Sequence, residues 1–104
     1  LDVDCLKIDR SFVKEVSTSA RDRALATSIV HLGGALGIAV VAEGVETEAQ
    51  ASFFTGVGCD ELQGFLFSRP QPADRIARYL AGDLAPRADV HAEPAAREVV
   101  ARQA

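Results

Sequence analysis

The sequence contains no methionine and no tryptophan, it has only two cysteines, and aromatic residues make up 6% of the chain. Its longest unbroken apolar run, Ile38 to Ala42, is far shorter than the roughly 20 residues of a membrane-spanning helix. It also lacks a leader with a basic start, an apolar middle and a small-residue cleavage site. We therefore expect a soluble, cytoplasmic segment, leaving open an anchor in a longer parent. Because the chain starts at Leu1 without any methionine, we interpret it as a fragment or processed piece.

The few potential metal-binding or redox residues do not form a recognisable pattern. Cys5 and Cys59 are widely separated, whereas cysteine metal sites need closely spaced ligands, so we interpret both as reduced thiols, with a disulfide or metal pair as the alternative. His31 and His91 are interpreted as structural or solvated residues. The net charge of -4, with scattered basic residues, argues against a nucleic acid polymer or an anionic membrane as partner.

The hydrophobic pattern predicts three strands that alternate with three helices. Such an alternation is typical of an α/β fold with parallel strands joined by right-handed crossovers. From Asp83 the sequence is rich in alanine, proline and charge, and residues 83–104 are predicted to be a tail that is disordered until bound and has no chemical role, with residues 95–104 as a possible frayed helix. The predicted strands are Cys5–Ile8, Ile38–Ala42 and Glu61–Phe67, and the predicted helices are Ala20–Leu36, Glu48–Thr55 and one from Pro72 to about Leu80.

The first long helix has a predicted buried face and predicted ends. A hydroxyl in the loop 17–19 is placed to cap its start, and Gly37 supplies a left-handed stop. Gly33 and Gly34 weaken a helix, which predicts a close approach to a neighbouring backbone. The residues predicted to face the core are Leu25, Ile29, Leu32 and Leu36.

Polar residues follow each predicted strand at its carboxyl end, where parallel α/β folds bind ligands. Lys7 and Asp9 are two residues apart and point to the same side of an extended chain, opposite Ile8. Glu43 and Glu46 come between a buried strand and a helix that Thr47 and Gln50 start with a capping box, and Gln63 lies in the third strand.

Each of these residues also has an ordinary explanation. Lys7 and Asp9 would be a surface ion pair. Glu43 and Glu46 would be acids that the dipole at the N-terminus of the nearby helix stabilises. Gln63 would be a buried amide that forms hydrogen bonds with the backbone. Arg10 and Arg69 are candidate phosphate contacts, although surface charges of this kind are common.

Three segments in order, Leu6 to Val13 (LKIDRSFV), Val41 to Thr47 (VAEGVET) and Gln63 to Pro70 (QGFLFSRP), resemble the C-terminal part of an EAL domain. EAL domains are bacterial phosphodiesterases that hydrolyse cyclic di-GMP to the linear dinucleotide pGpG. The resemblance covers about residues 1–80 and implies the last three strand-helix units of a modified TIM barrel. The corresponding domain portion is residues 1–82.

The resemblance also implies a role for each residue of the predicted site. Lys7 would contact the attacking water and help to polarise the phosphate, Glu43 would bind a divalent metal ion directly or through water, and Glu46 would support that cluster. Asp9 would line the substrate site and keep Lys7 in place, and Gln63 would form hydrogen bonds within it. The implied cofactor is Mg²⁺ or Mn²⁺, hard cations that prefer carboxylate oxygen and that in pairs stabilise both the attacking and the leaving oxygen.

Two motifs that complete the family's metal site are absent from this chain: the Glu-Ala-Leu motif and the Asp-Asp pair before Phe-Gly. We therefore expect the piece alone to be inactive, and to be oligomeric or poorly ordered because three strands cannot close a barrel. The alternative is a catalytically degenerate EAL-type receptor or interaction module. An unrelated phosphate-handling barrel is disfavoured by the absence of a glycine-rich phosphate loop.

The partners implied by the resemblance are cyclic di-GMP and the upstream remainder of the barrel. GGDEF or sensor domains and a homodimer are further expectations, and no contact of this segment with a membrane is expected.

Overall fold

The computed structural model describes residues 3–64, 70–82 and 98–102. These ranges form one sheet with the strand order β4-β3-β2-β1-β5, in which neighbours are parallel except for β3 and β4. The predicted alternation of strands and helices is confirmed. The elements are β1 (Cys5–Ile8), α1 (Arg10–Val13), α2 (Ala20–Leu36), β2 (Ala39–Ala42), α3 (Glu48–Gly56), β3 (Glu61–Leu62), β4 (Gln71–Pro72), α4 (Ala73–Leu80) and β5 (Glu98–Ala101).

Strands β1 and β2 form the centre of the sheet. In β1 the side chains of Leu6 and Ile8 are buried, while Lys7 between them points to the opposite side. The register places Lys7 opposite Val41 and Ile8 opposite Ala42, and these two residues of β2 are both buried. The hydrophobic core therefore fixes the orientation of β1, and with it the side of the sheet on which Lys7 lies.

Helix α2 has the bounds that the sequence predicts. The side chain of Ser19 accepts a hydrogen bond from the backbone N–H of Asp22, at 3.1 Å, which satisfies a free donor at the start of the helix. Gly37 ends the helix with a φ of 70°, the left-handed conformation in which glycine carries no steric penalty. Both predicted end signals are confirmed.

The predicted buried face of α2 is partly wrong. Leu25 and Ile29 pack against the core, but Leu32 and Leu36 are 51% and 48% exposed. The face that packs on the sheet instead contains small residues, because a Cβ on Gly33 would overlap the side chain of Val40. The close approach predicted for the glycine pair is thus confirmed at Gly33, whereas a Cβ on Gly34 would meet nothing within 4 Å. The buried residues of this face are Ala26, Val30 and Gly33, with Asp22 at the helix start.

Helix α3 begins with the predicted capping box. The backbone N–H of Gln50 donates to Oγ1 of Thr47 at 3.1 Å, and the side chain of Gln50 accepts from the backbone N–H of Thr47 at 3.1 Å. Ala51 and Phe54 face the core, as predicted, and both are fully buried.

The third predicted strand is described only at its start. Glu61–Leu62 forms β3, Gln63 follows it, and residues 65–69 lie outside the described part. Pro72 pairs with Glu61 in an antiparallel bridge and then serves as the N-cap of α4, so it precedes the helix rather than lying in its first turn. The predicted buried face of α4 is confirmed, with full burial of Ile76 and partial burial of Tyr79 and Leu80.

The C-terminal region differs from the predicted tail. Residues 83–97 lie outside the described part, but Glu98–Ala101 forms strand β5, parallel to β1, where a frayed helix and no chemical role were expected. The β-branched Val99 and Val100 suit an extended edge, and their partner strand lies at the opposite end of the sequence. Composition alone could not reveal such a distant pairing.

The two cysteines are free thiols. Cys59 is buried with its Sγ 3.3 Å from the carbonyl oxygens of Val40 and Glu61, and burial raises the pKa of this thiol to about 12. Burial also raises the pKa of Cys5, which is half-buried. His31 is exposed on α2, and His91 lies outside the described residues. None of the helices in the described ranges is long and apolar enough to cross a membrane.

Candidate active site

Side chains from three strand ends converge on one cavity of about 530 Å³. Asp9 follows β1, Glu43 follows β2 and Gln63 follows β3, and these three strands are parallel neighbours. Their carboxyl ends therefore meet at the same edge of the sheet, which brings three of the predicted site residues together. The cavity is lined by Asp9, Arg10, Glu43, Gly44, Gln63, Gly64 and Arg102.

Lys7 lies between two carboxylates. Its Nζ is 3.5 Å from Oε1 of Glu43 and 3.2 Å from Oε2 of Glu98. Burial by itself would lower the pKa of Lys7, but the hydrogen bond to Glu98 and the charge of Glu43 outweigh it, so the pKa lies above its ordinary value. Lys7 is therefore a stable cation at neutral pH, a state suited to stabilising negative charge rather than to transferring a proton.

Asp9 both caps a helix and borders the cavity. Its Oδ2 accepts a hydrogen bond from the backbone N–H of Ser11 at 3.1 Å, and its Oδ1 lies 3.7 Å from Nε of Arg102. The hydrogen bond from Ser11, aided by the guanidinium charge, holds the pKa of Asp9 below its ordinary value. Among the described residues, the side chain of Asp9 thus contacts α1 and the C-terminal strand rather than Lys7, the partner that the resemblance implies.

Backbone hydrogen bonds join the loops that carry the site residues. The N–H of Glu43 donates to the carbonyl of Ile8 at 2.9 Å, which continues the β1–β2 ladder into the site. The N–H of Gln63 donates to Ala42 at 2.8 Å, and the N–H of Val45 donates to Gln63 at 3.0 Å. These backbone bonds connect each loop to its neighbour and fix the relative positions of the three strand ends.

Two glycines make this close packing of loops possible. Gly44 has a φ of 74°, and a Cβ at this position would lie 2.5 Å from Cβ of Arg10. Gly64 has a φ of 116°, and its Cβ would lie 2.8 Å from the backbone oxygen of Val45. Both positions therefore exclude other residues on backbone and steric grounds. We identify Gly44 and Gly64 as positioning residues for the neighbouring Glu43 and Gln63.

Glu46 is a predicted site residue that lies outside the cavity. Its side chain is exposed, and it is not among the residues that line the cavity. Its backbone N–H donates to Oε1 of Gln50 at 2.7 Å, so the position of its main chain is fixed by the capping box.

Several residues around the site were not predicted. Gly44 and Gly64 each follow a predicted site residue directly, and that placement could have indicated a tight loop. Glu98 and Arg102, which contact Lys7 and Asp9, carried no local signal because they reach the site through a long-range strand pairing.

The donor chemistry of the site suits a hard divalent cation only in part. Glu43 offers the carboxylate oxygen that Mg²⁺ and Mn²⁺ prefer. Within the described residues, however, no group of three or more histidine, cysteine or acidic side chains is arranged to hold a metal ion. Among the described residues, Glu43 thus has suitable donor chemistry, but these residues do not form a complete metal site.

The sequence matches the family model of the EAL domain over residues 1–70. The chain therefore belongs to the EAL domain family, and the α/β fold with a mostly parallel sheet is that of part of its TIM-like barrel.

The related proteins MucR and RocR are much longer than this chain. The chain is 52% identical over 71 residues to the bifunctional diguanylate cyclase/cyclic di-GMP phosphodiesterase MucR of Pseudomonas aeruginosa. This alignment covers 68% of this chain and 10% of MucR. It is 42% identical over 77 residues to the cyclic di-GMP phosphodiesterase RocR of the same species. This alignment covers 74% of this chain and 20% of RocR. The chain thus spans about a tenth to a fifth of the length of these relatives.

Solved structures show the same fold. The MucR phosphodiesterase in complex with cyclic di-GMP superimposes with a TM-score of 0.59 at 51% identity, covering 70% of this chain and 30% of that one. Klebsiella pneumoniae BlrP1 in a manganese and cyclic di-GMP complex gives a TM-score of 0.59 at 41% identity, covering 67% of this chain and 18% of BlrP1.

Proposed function

We propose that this chain supplies the last three strand-helix units of a cyclic di-GMP phosphodiesterase, which hydrolyses cyclic di-GMP to linear pGpG. The observation that carries the proposal is the convergence of Asp9, Glu43 and Gln63 in one cavity, with the ammonium group of Lys7 beside Glu43. This arrangement supports a site that combines a fixed cation, acidic groups and an amide, which suits the binding and cleavage of a phosphodiester.

In the proposed reaction a water molecule attacks phosphorus and one phosphodiester bond breaks. Lys7 contacts the attacking water and the reacting phosphate, and its positive charge stabilises the charge that develops on the phosphate oxygens. Asp9 and Gln63 bind and orient the substrate, while Glu46 supports the acidic loop from its margin.

Glu43 is the proposed metal-binding residue of this chain. A divalent ion, Mg²⁺ or Mn²⁺, would lower the pKa of a bound water and neutralise phosphate charge. The carboxylate oxygens of Glu43 and the manganese complex of the related BlrP1 support this choice. Because the described residues offer no complete ligand set, we expect the chain by itself to hydrolyse no cyclic di-GMP.

The sharpest test is a chimera that combines this chain with the other strands of a related EAL domain. In MucR, the 71-residue stretch that aligns with this chain is replaced by the matching residues of this chain, and hydrolysis of cyclic di-GMP is measured with Mg²⁺ or Mn²⁺. We expect an active chimera in which Lys7→Ala or Glu43→Gln each lowers kcat by about 100-fold or more.

A matched control distinguishes the loss of a site residue from a general loss of charge. Glu48→Gln changes an exposed carboxylate in the first turn of α3, and we expect its rate to stay within about twofold of the parent chimera. Full activity of the Lys7 and Glu43 variants would refute the assigned roles. A folded chimera that binds cyclic di-GMP without cleaving it would identify this chain as part of the alternative, an EAL-type receptor.

The cellular setting of the proposed enzyme follows from its substrate. We place this segment in the cytoplasm, where we expect cyclic di-GMP, the upstream part of the barrel and possible GGDEF or sensor domains as partners. A homodimer of the parent protein is a further expectation, and sedimentation of the intact protein tests it.

A further inference from the structure

Arg10 is a cavity residue for which the proposed reaction has no role. It lines the cavity together with Asp9, Glu43 and Gln63. It directly follows Asp9 at the carboxyl end of β1 and is the first residue of α1. These positions are fixed by β1, β2 and β3 and not by β5, which covers the edge of β1 where the upstream part of the barrel would pair. We therefore expect Arg10 to border the site in the complete barrel as well.

The backbone and the first side-chain carbon of Arg10 are held in place. The carbonyl of Arg10 accepts a hydrogen bond from the backbone N–H of Lys14 at 3.0 Å. The Cβ of Arg10 lies against Gly44, where a side chain would come within 2.5 Å of it. Because Gly44 has no side chain, Arg10 can pass close to the loop that carries Glu43. The side chain of Arg10 therefore reaches the cavity from a fixed starting point.

The positive charge of Arg10 is available to a ligand. Nζ of Lys7 lies 3.5 Å from the carboxylate of Glu43, whereas no carboxylate within residues 3–64, 70–82 and 98–102 forms an ion pair with Arg10. Arg10 is also exposed, so an incoming molecule can contact it. A guanidinium stays protonated throughout the accessible pH range, and its planar shape allows two parallel hydrogen bonds to one phosphate group.

The charge of the proposed substrate requires more than one cation. Cyclic di-GMP contains two phosphodiester groups, each with one negative charge at neutral pH, and only one of them is cleaved. The proposed reaction assigns the cleaved group to Lys7 and to a metal ion bound by Glu43. Of the cavity residues in the described part of β1, β2, β3 and their loops, Arg10 is the cation that remains for the second group.

We propose that Arg10 binds the phosphodiester of cyclic di-GMP that is not cleaved, through paired hydrogen bonds from its guanidinium. This contact positions one half of the substrate while the other half is held at Lys7. The inference rests on the proposed function for the identity of the ligand. Because the second phosphodiester keeps its charge throughout the reaction, the contact stabilises the bound substrate and the transition state about equally. Arg10 therefore sets the affinity for the substrate rather than the rate of the chemical step.

Steady-state kinetics of the MucR chimera test this role. We expect Arg10→Gln to raise KM for cyclic di-GMP by about 30-fold and to leave kcat within about threefold of the parent chimera. Arg10→Lys keeps the charge but loses the paired hydrogen bonds, so its KM should rise by only about tenfold. Arg21→Gln is the matched control, because it removes a guanidinium whose side chain is 75% exposed on α2, and its KM should stay within about twofold. A fall in kcat without a rise in KM would overturn the inference.

Binding without turnover distinguishes a phosphate contact from a contact with the base. The related BlrP1 is also solved with FMN, cyclic di-GMP and no metal ions, so titration calorimetry of the chimera in a chelator is a suitable measurement of Kd. Cyclic di-AMP, which has the same two phosphodiesters and different bases, is the second probe, used up to millimolar concentration. We expect Arg10→Gln to raise Kd for both ligands by the same factor. A loss confined to cyclic di-GMP would assign Arg10 to guanine, and it would overturn the inference, as would a parent chimera that does not bind cyclic di-AMP.

The outcome for Arg10 is separable from the outcome for the proposed function. If the chimera is inactive but Arg10→Gln raises Kd for both ligands, the phosphate contact stands and the assigned reaction fails. If the chimera is active and depends on Lys7 and Glu43, but Arg10→Gln changes neither KM nor Kd, the reaction stands and the role of Arg10 fails.

Discussion

Strand β1 has a parallel neighbour on each side, and the two pairings are nearly the same in their backbone. Each consists of four residue pairs over Cys5–Ile8, and each continues into a hydrogen bond of 2.9 Å at its carboxyl end. Their burial is different, because three of the four residues of β2 are buried while no residue of β5 is. The two pairings have the same backbone hydrogen bonding but differ in how much side-chain surface they bury. We therefore expect side-chain packing, more than the backbone hydrogen bonds, to decide how strongly each strand is held.

The largest expected effect comes from breaking the packing on the β2 side at Gly33. Gly33→Leu should lower the free energy of unfolding by about 3 kcal/mol, because its side chain would collide with Val40 at the closest approach of α2 to the sheet. Urea denaturation of the purified chain measures the change.

Gly34→Leu is the matched control for this substitution. The same side chain at the next position points into open space, and leucine is a better helix former than glycine, so stability should rise by up to about 1 kcal/mol. Equal destabilisation by both variants would contradict the assigned packing of α2.

A pair of identical substitutions compares the two sides of β1 directly. Val40 in β2 and Val99 in β5 are both paired with Leu6, but Val40 is fully buried and Val99 is 48% exposed. We expect Val40→Ala to lower the free energy of unfolding by about 2 kcal/mol. Val99→Ala should change it by less than about 0.5 kcal/mol.

Thermal and urea unfolding of the two valine variants provide the measurement. Similar losses from both substitutions would mean that β5 is as firmly packed as β2.

The smallest expected effect is the dependence on acid pH of the contacts that Asp9 makes with Ser11 and Arg102. The pKa of Asp9 is lower in the folded chain than its ordinary value of 3.8, so the carboxylate stabilises the fold above that value. The contribution is lost as the pH falls through the lowered pKa. Asp9→Asn keeps a side chain that can cap α1 but removes the charge that faces Arg102.

Unfolding free energies of the parent chain and of Asp9→Asn, compared between about pH 6 and pH 2, test this expectation. The parent should be the more stable of the two at pH 6, and the difference should disappear at the acid end. A constant difference across this range would show that the charge of Asp9 does not contribute.

Features that depend on neighbours in the sequence were predictable. The bounds of α2, its Ser19 cap, its Gly37 stop and the capping box of α3 follow from local hydrogen bonding and backbone preference. The placement of Asp9, Glu43 and Gln63 at one sheet edge followed from the alternation of strands and helices, which leaves few arrangements for a parallel sheet.

Features that depend on distant contacts were not predictable. Leu32 and Leu36 have the spacing of a buried stripe, yet the close contact of Gly33 with β2 turns them outward. Strand β5 could not be inferred either, because its register is set by pairing with Cys5–Ile8 and by the charges of Lys7 and Asp9. Long-range pairing of this kind leaves no local pattern.

The amide of Gln50 has a consequence for the mutability of the acidic loop. Its Oε1 accepts the backbone N–H groups of Glu46 and Thr47, and its Nε2 lies 3.5 Å from the carbonyl of Lys14. An uncharged group thus anchors the loop to α3 and to the turn after α1, and none of these hydrogen bonds involves a carboxylate of the loop. We therefore expect that substitution of Glu43 or Glu46 changes the charge at this edge of the sheet while the hydrogen bonds of Gln50 are kept.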